Sequence, residues 1–286
     1  MLFRSVIERL YAKYMPAPFM SLVIDDCIAK GRDYNDGGAR YNTSYIQGVG
    51  IGTITDSLSA IRHHVFENSN VSMGELLEAL KGDFEGSESL RRLLREDAPR
   101  YGNDDDRADS IMADVFKAFF DAVDGRPNTR GGRYCINMLP TTCHVYFGSV
   151  TGATPEGRKA WQPLSEGISP VQGTDRRGPT AVIKSASKMD QALTGGTLLN
   201  MKFSPKLLED EAGINNLAHL VRTYFKLGGH HVQFNVVKAE TLRKAQADPD
   251  AHRDLIVRVA GYSDYFCDLS RALQDEIISR TEHERM

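Results

Sequence analysis

The chain has 286 residues, 41% of them hydrophobic and 26% charged, with a net charge of −3 and a pI near 6.3. These values fit an average soluble globular protein of one large domain or two ordinary ones, and they give no electrostatic reason to expect nucleic acid or an anionic membrane. No run of 18 apolar residues suggests a transmembrane helix, and the opening MLFRSVIERLYAKYMP lacks the apolar stretch of a signal peptide.

Residues 17–30 place Met20, Val23, Ile24, Cys27 and Ile28 on one helical face, with Gly31 as C-cap. A glycine- and asparagine-rich stretch over 31–52 follows, long enough that a function is expected of it. Ile54, Leu58, Ile61 and Val65 mark the next helix, and Ser72 with Glu75 forms a capping box ahead of Leu76, Leu77 and Leu80. Ile111, Val115, Phe119 and Val123 mark another helix, ending at Asp124-Gly125. From Gly131 to Gly196 the chain reads as loops with short strands, and PEGR (155–158) and RRGPT (176–180) are turn signals. A helix carrying Leu217, Leu220, Val221 and Phe225 stops at Gly228-Gly229. In HVQFNVV (231–237), Val232, Phe234 and Val236 are expected on the buried side of a strand. A polar helix over 239–247 breaks at Asp248-Pro249. It leads into DLIVRVAGYSDYF (254–266), where an apolar strand runs into Gly261 and then into an amphipathic C-terminal segment. Helices alternating with short strands, without an internal repeat, predict an α/β fold.

Most candidate chemistry has a plain structural alternative. GVGIG (48–52) opens a helix whose N–H groups could cradle a phosphate, but it lacks the G-x-G-x-x-G and Walker spacings, so loop geometry is the better reading. His230 and His231 are adjacent on a strand and point to opposite faces, so one inward, hydrogen-bonded histidine is expected rather than a metal pair. Asn103-Asp104-Asp105-Asp106 lacks the alternation of a calcium loop and reads as an acidic helix N-terminus. Cys27, Cys135, Cys143 and Cys267 include no C-x-x-C pair, which suggests neither a zinc site nor a disulfide framework and fits a reduced cytoplasm; no metal is expected.

Gly261 has two readings. One is a turn that needs φ > 0. The other is chemical: a glycine Cα can carry an unpaired electron, because the amide nitrogen donates into it and the neighbouring carbonyl withdraws from it. Such a radical needs burial, since dioxygen attacks it and cleaves the chain.

RVAGYSDYF (258–266) resembles the R-V-x-G-Y signature of the glycyl radical enzymes. TGATPEGR (151–158), PLSEGISPVQGTDRRGPTAVIKSASKMD (163–190), GGTLLNMKFSP (195–205), HHVQFNVV (230–237) and LQDEIISRTEH (273–283) are similar to that family's C-terminal region. The resemblance covers essentially the whole chain. It implies the C-terminal part of an α/β barrel of two half-sheets wrapped by helices. Residues 1–157 would belong to the pyruvate formate-lyase-like barrel domain and 165–286 to the glycine radical domain. It implies Gly261 as the radical site, installed by a radical-SAM activase with a [4Fe-4S] cluster, with no cofactor bound in the chain itself.

Within the family, YMPAPFMSLVIDDCIAKGRDYNDGGARYNTSYIQGVGIGTITDSLSAI, DGRPNTRGGRYCINMLPTTCHVYFGSVTGATP and LGGHHVQFNVV resemble the dehydratase branch more than pyruvate formate-lyase, in particular the dehydratases of trans-4-hydroxy-L-proline. Cobalamin-independent glycerol and propanediol dehydratases are the neighbouring alternative. The resemblance places Met138 to Thr141 along the substrate pocket, with Leu139 and Thr141 as substrate contacts. It also implies an anaerobic, cytoplasmic homodimer in the full-length enzyme. The family's thiyl cysteine stands in a G-C-V-E context, which none of the four cysteines shares (DDCIAK, RYCINM, TTCHVY, YFCDLS). A C-terminal fragment of a longer enzyme, from a truncated gene, is therefore expected. A stand-alone radical carrier subunit is the alternative of a different class.

Overall fold

The computed structural model describes residues 2–285. In chain order the elements are α1 (Leu2–Tyr14), α2 (Pro18–Val23), α3 (Cys27–Lys30), β1 (Thr43–Gln47), α4 (Ile51–Ile61), α5 (Met73–Lys81), α6 (Glu88–Glu96), α7 (Asp106–Val123), β2 (Arg133–Asn137) and α8 (Cys143–Ser149). They continue as α9 (Pro179–Ser187), β3 (Asn200–Phe203), α10 (Glu211–Lys226), β4 (Gln233–Val236), α11 (Ala239–Ala247), β5 (Ile256–Arg258), β6 (Ser263–Tyr265), α12 (Arg271–Ser279) and β7 (Glu282–His283). A π-helical turn over Arg62–Glu67 continues α4. The class is α/β, and the described strands make sheets of two and three strands. The chain divides into two compact units, residues 1–46 with 118–137, and residues 47–117 with 138–286.

In the first unit β1 pairs with β2. Glu8 of α1 is buried and receives hydrogen bonds from Ser44 and, at 3.2 Å, from Thr129 Oγ1, with Arg130 at 3.6 Å as counter-charge. The single helix expected over 17–30 is two short ones. Asp26 takes a left-handed conformation (φ +76°) and breaks the register, so the expected apolar face never assembles. Cys27 is buried, whereas Met20, Val23 and Ile28 are exposed. Gly31 does cap α3.

In the second unit a parallel sheet runs β4-β3-β7, with α10 as the crossover between β3 and β4. One apolar cluster joins Leu198, Leu242, Val257, Val259, Ala260, Phe266, Leu273 and Ile277, so it ties α11, α12 and the strand pair β5–β6 together. Another joins Ala60, Val71, Leu76, Phe84 and Leu94 under α4, α5 and α6. The capping box forms as expected: Ser72 Oγ accepts from Glu75 N–H at 3.1 Å, and Glu75 accepts from Ser72 N–H at 2.8 Å.

Several faces differ from the sequence pattern. In α4, Ile54 and Leu58 are exposed while Thr55, Asp56, Ser59 and Ala60 are buried, because Asp56 receives Tyr101 N–H and the Arg100 guanidinium. In α7 the buried stripe is Ala108, Met112 and Phe116; of the expected residues Val123 is buried and Ile111, Val115 and Phe119 are half-buried. In α10 Tyr224 takes the buried place expected of Phe225. The stretch 131–196 holds two helices, α8 and α9, that carry no clear apolar period; RRGPT is the entry to α9, with Pro179 in its first turn. PEGR is a turn, closed by Thr154 N–H donating to Arg158 O at 3.0 Å.

Candidate functional site

β5 and β6 pair antiparallel as a hairpin, Arg258 opposite Ser263. Val259 N–H donates to Tyr262 O at 2.9 Å, leaving Ala260 and Gly261 as the two central residues of the turn. Gly261 has φ +82°, the value that the third position of a type II turn demands. The glycine is therefore at a hairpin tip, and not at the strand-to-helix junction that the sequence suggests. Its expected burial is also only half realised. Val257, Val259 and Ala260 sink their side chains into the apolar cluster, and that anchoring carries Gly261 and Tyr262 outward, so both are exposed. A Cβ on Gly261 would meet only Leu198 Cδ1, at 3.9 Å.

The hairpin is held by the polar side of β4, which is the reverse of the expected face. Gln233 and Asn235 are buried, whereas Val236 is exposed. Gly261 N–H donates to Gln233 Oε1 at 3.1 Å, and Arg258 Nη2 donates to the same oxygen at 3.1 Å. Asn235 Oδ1 accepts from Arg258 N–H at 2.8 Å while its Nδ2 donates to Arg258 O at 2.8 Å. Asn200, the partner of Gln233 across the β3–β4 ladder, accepts from Gln233 Nε2 and reaches Val259 O with Nδ2 at 3.5 Å. Each of these buried amides would cost about 1–3 kcal/mol if left unpaired, so the hairpin and the sheet satisfy one another.

A buried ionic cluster supports the other side of the turn. Arg280 Nη2 donates to Val259 O at 3.1 Å and to Glu276 Oε2 at 2.8 Å; its Nε reaches Glu276 Oε1 at 3.1 Å. Gln172 Nε2 donates to Glu276 at 3.1 Å, and His144 Nε2 lies 3.6 Å from it. Burial opposes ionisation of Glu276, yet the Arg280 guanidinium and His144 outweigh it and hold its carboxyl well below the usual range. Glu166 lacks such a direct pair, and burial pushes its carboxyl up. Lys202, 1% exposed in β3, donates to Ile278 O at 2.9 Å in the last turn of α12. Burial pulls its ammonium down to about 8. His231 is the inward histidine, as expected, but its buried Nδ1 has no hydrogen bond. Burial, and then Arg258, lower its pKa.

The loop from Met138 to Thr141 adjoins this site. Met138 N–H donates to Gly196 O at 2.9 Å, and Leu139 packs against the cluster that contains Val257, Val259 and Ala260. Thr141 is exposed, with φ +52°. That is rare for a β-branched residue and stores on the order of 1–3 kcal/mol of strain, which functional loops carry more often than others. Other motifs are absorbed by packing. The N-terminal amides of α4 meet Ser165, the Thr53 N–H donating to its Oγ at 3.0 Å. Asp104, Asp106 and Asp109 all bond Lys188. Cys27 is buried, Cys135 and Cys267 half-buried with thiols pushed up by burial, and Cys143 exposed.

The sequence reading missed Gln233, Asn235, Asn200 and Arg280. The one available signal was the alternation of two amides with Val and Phe in HVQFNVV, where a surface strand more often carries charge.

The comparisons decide the family. A pyruvate formate lyase-like model matches residues 3–148, and a glycine radical model matches residues 164–267, a span that includes the hairpin. The chain belongs to the glycyl radical enzyme family. It is 58% identical over 278 residues to trans-4-hydroxy-L-proline dehydratase of Clostridioides difficile, covering 97% of this chain and 35% of that enzyme. The crystal structure of hydroxyproline dehydratase from the same organism, with trans-4-hydroxy-L-proline bound, superposes with a TM-score of 0.96 at 57% identity, over 99% of this chain and 36% of that one. The glycerol-bound B12-independent glycerol dehydratase of Clostridium butyricum gives 0.94 at 45% identity, over 98% and 36%. The chain thus spans about a third of the length of these relatives. No helix among the described residues is long and apolar enough to cross a membrane.

Proposed function

We propose that the chain is the radical-bearing portion of a glycyl radical dehydratase, and that the whole enzyme dehydrates trans-4-hydroxy-L-proline to pyrroline-5-carboxylate. The observation that carries this reading is the R-V-A-G-Y hairpin, with Gly261 at its tip and the Gly261 N–H held by Gln233. Identity of 58% to a hydroxyproline dehydratase supports the substrate. Residues 1–157 would form part of the barrel domain and 165–286 the glycine radical domain.

In this reading a radical-SAM activase with a [4Fe-4S] cluster takes one hydrogen atom from the Gly261 Cα. Gln233 fixes the plane of the amide whose nitrogen shares the spin. The glycyl radical then takes a hydrogen atom from a cysteine thiol. The thiyl abstracts hydrogen from the substrate carbon next to the hydroxylated one, water departs, and the product radical takes the hydrogen atom back from the cysteine thiol, which regenerates the thiyl. None of the four cysteines here stands in the family's G-C-V-E context, so that thiol and its base would lie in the part of the relatives that this chain does not span. Leu139 and Thr141 would contact the substrate; the packing of Leu139 against the hairpin root and the strained Thr141 support this. The whole enzyme would be a cytoplasmic homodimer of anaerobic cells.

Anaerobic incubation with activase, SAM and reductant tests the assignment. A doublet electron-spin resonance signal is expected, with oxygen cleaving the chain at Gly261; a signal that survives in Gly261→Ala would sink it. Turnover of hydroxyproline against glycerol by the full-length enzyme separates the substrates. The glycerol dehydratase likeness at 45% identity favours glycerol as the substrate of the second reading. A chain that gives the signal and restores a partner damaged at its own glycine would instead be a carrier subunit.

A further inference from the structure

The cysteines offer no zinc site by spacing, but a histidine pair does by geometry. The π-helical turn over Arg62–Glu67 carries adjacent histidines and is closed by Asn68 N–H donating to His63 O at 3.0 Å. The rings of His63 and His64 meet edge to face with centroids 4.8 Å apart.

His64 is fully buried. Its Nδ1 faces Asn70 Oδ1 at 3.1 Å, so Nδ1 carries the ring proton and Nε2 keeps the lone pair. That Nε2 is buried without any hydrogen-bond partner. A buried imidazole whose one nitrogen donates to a side-chain oxygen and whose other nitrogen is free has the second-shell arrangement of a metal ligand. The C-cap of α6 brings Asp97 beside it, Oδ2 lying 3.6 Å from His63 Nε2. One ligand atom each from His63, His64 and Asp97 lies within 4.8 Å of the others.

We propose that His63, His64 and Asp97 bind a borderline divalent cation of the Zn²⁺ type, with water completing the coordination. Two imidazoles and one carboxylate suit zinc and its first-row neighbours, not calcium or magnesium. Ligand atoms around zinc sit roughly 3.3 Å apart, given bond lengths near 2.0–2.1 Å. Asp97 is 59% exposed and can rotate to close the difference, the cation replacing the contact that Asn68 Nδ2 makes with His63 Nε2 at 3.0 Å. Of the three ligands Asp97 also lines a groove of about 1010 Å³, with Glu75, Glu78 and Glu96 against Arg92. The cation would tie the end of α4 to the end of α6, remote in sequence from the glycine hairpin, and the proposal does not depend on the radical chemistry.

Titration calorimetry with Zn²⁺ on the 286-residue chain, and Co²⁺ absorption as the spectroscopic readout, test it. One equivalent is expected to bind and to raise the melting temperature. Asp97→Asn and His63→Gln should each weaken binding roughly tenfold or more, and Asp97→Asn, at an exposed position, should leave the metal-free melting temperature in place. Cys143→Ser should leave the affinity unchanged. Affinity unchanged in both ligand variants, or less than one equivalent bound by the wild-type chain, overturns the proposal.

Discussion

Two glycine-bearing segments of the second unit, GVGIG and VAGYS, look alike in sequence and differ in what makes glycine necessary. At Gly52 the reason is crowding: a Cβ would stand 2.9 Å from Ser169 O and 3.0 Å from Ser165 Oγ. The α4 terminus is locked there by reciprocal bonds, Thr53 N–H to Ser165 Oγ at 3.0 Å and Ser165 N–H to Thr53 Oγ1 at 2.9 Å. At Gly261 nothing lies closer than 3.9 Å, and only the positive φ asks for glycine. The first glycine serves packing and leaves no open phosphate cradle. The second has open space at its Cα and a fixed amide behind it, so only its backbone conformation asks for glycine.

The largest expected effect separates the two outright. Gly261→Ala should remove the glycyl doublet completely, whereas Gly52→Ala should retain it in whatever fraction of the chain stays folded. Equal loss of signal in both, measured on protein of equal melting temperature, would mean that the doublet reports general integrity and not Gly261.

The hairpin's second support can be broken next. Arg280→Met leaves Glu276 charged, buried and without its guanidinium, and removes the donor to Val259 O. Removing one partner of a buried pair costs about 3–5 kcal/mol. Urea unfolding should show a loss of that size, and Arg280→Lys should recover part of it. A loss under about 1 kcal/mol, the range of exposed pairs, would show that water reaches the cluster.

What the sequence made legible was local. The Ser72–Glu75 capping box, Gly31 as C-cap and the stop of α10 at Gly228 each depend on a few adjacent residues. The faces depend on partners far along the chain, and there the patterns misled. Val232, Phe234 and Val236 read as the inner face of β4, yet Gln233 and Asn235 turn inward because the hairpin backbone 23 to 28 residues later has donors and acceptors to satisfy. Ile54 and Leu58 read as core, yet Asp56 is drawn in by Arg100 and Tyr101, more than 40 residues on. The R-V-x-G-Y signature is contiguous and could be read directly; the clamp around Gly261 could not, because Asn200, Gln233, Asn235 and Arg280 come from two strands and a helix end.

Lys202 sharpens the contrast between crowded and open sites through pH. Its ammonium, normally near 10.5, is pulled down to about 8 by burial. Between those values the unfolded chain holds a proton that the folded chain has released, so stability rises as pH goes from about 8 to about 10.5; below 8 both states hold the proton and the contribution of this group is constant. A displacement of that size corresponds to about 3 kcal/mol. Lys202→Met should flatten the rise, measured by urea midpoints across that window. An unchanged slope would place the titrating group elsewhere.

The smallest effect is the most discriminating test of the two glycines, because it compares substitutions at each site in protein that has never been activated. Alanine at Gly261 meets an unfavourable φ and costs about 1–2 kcal/mol, but asparagine tolerates that conformation and should cost less. At Gly52 the objection is volume. Alanine there should cost about 1–3 kcal/mol by overpacking against Ser169 and Ser165, and asparagine, being larger, should cost more. The order of Ala and Asn is thus opposite at the two positions: Asn above Ala in melting temperature at 261, Ala above Asn at 52. If Asn is also the worse residue at 261, the hairpin tip is crowded and volume decides there as it does at Gly52.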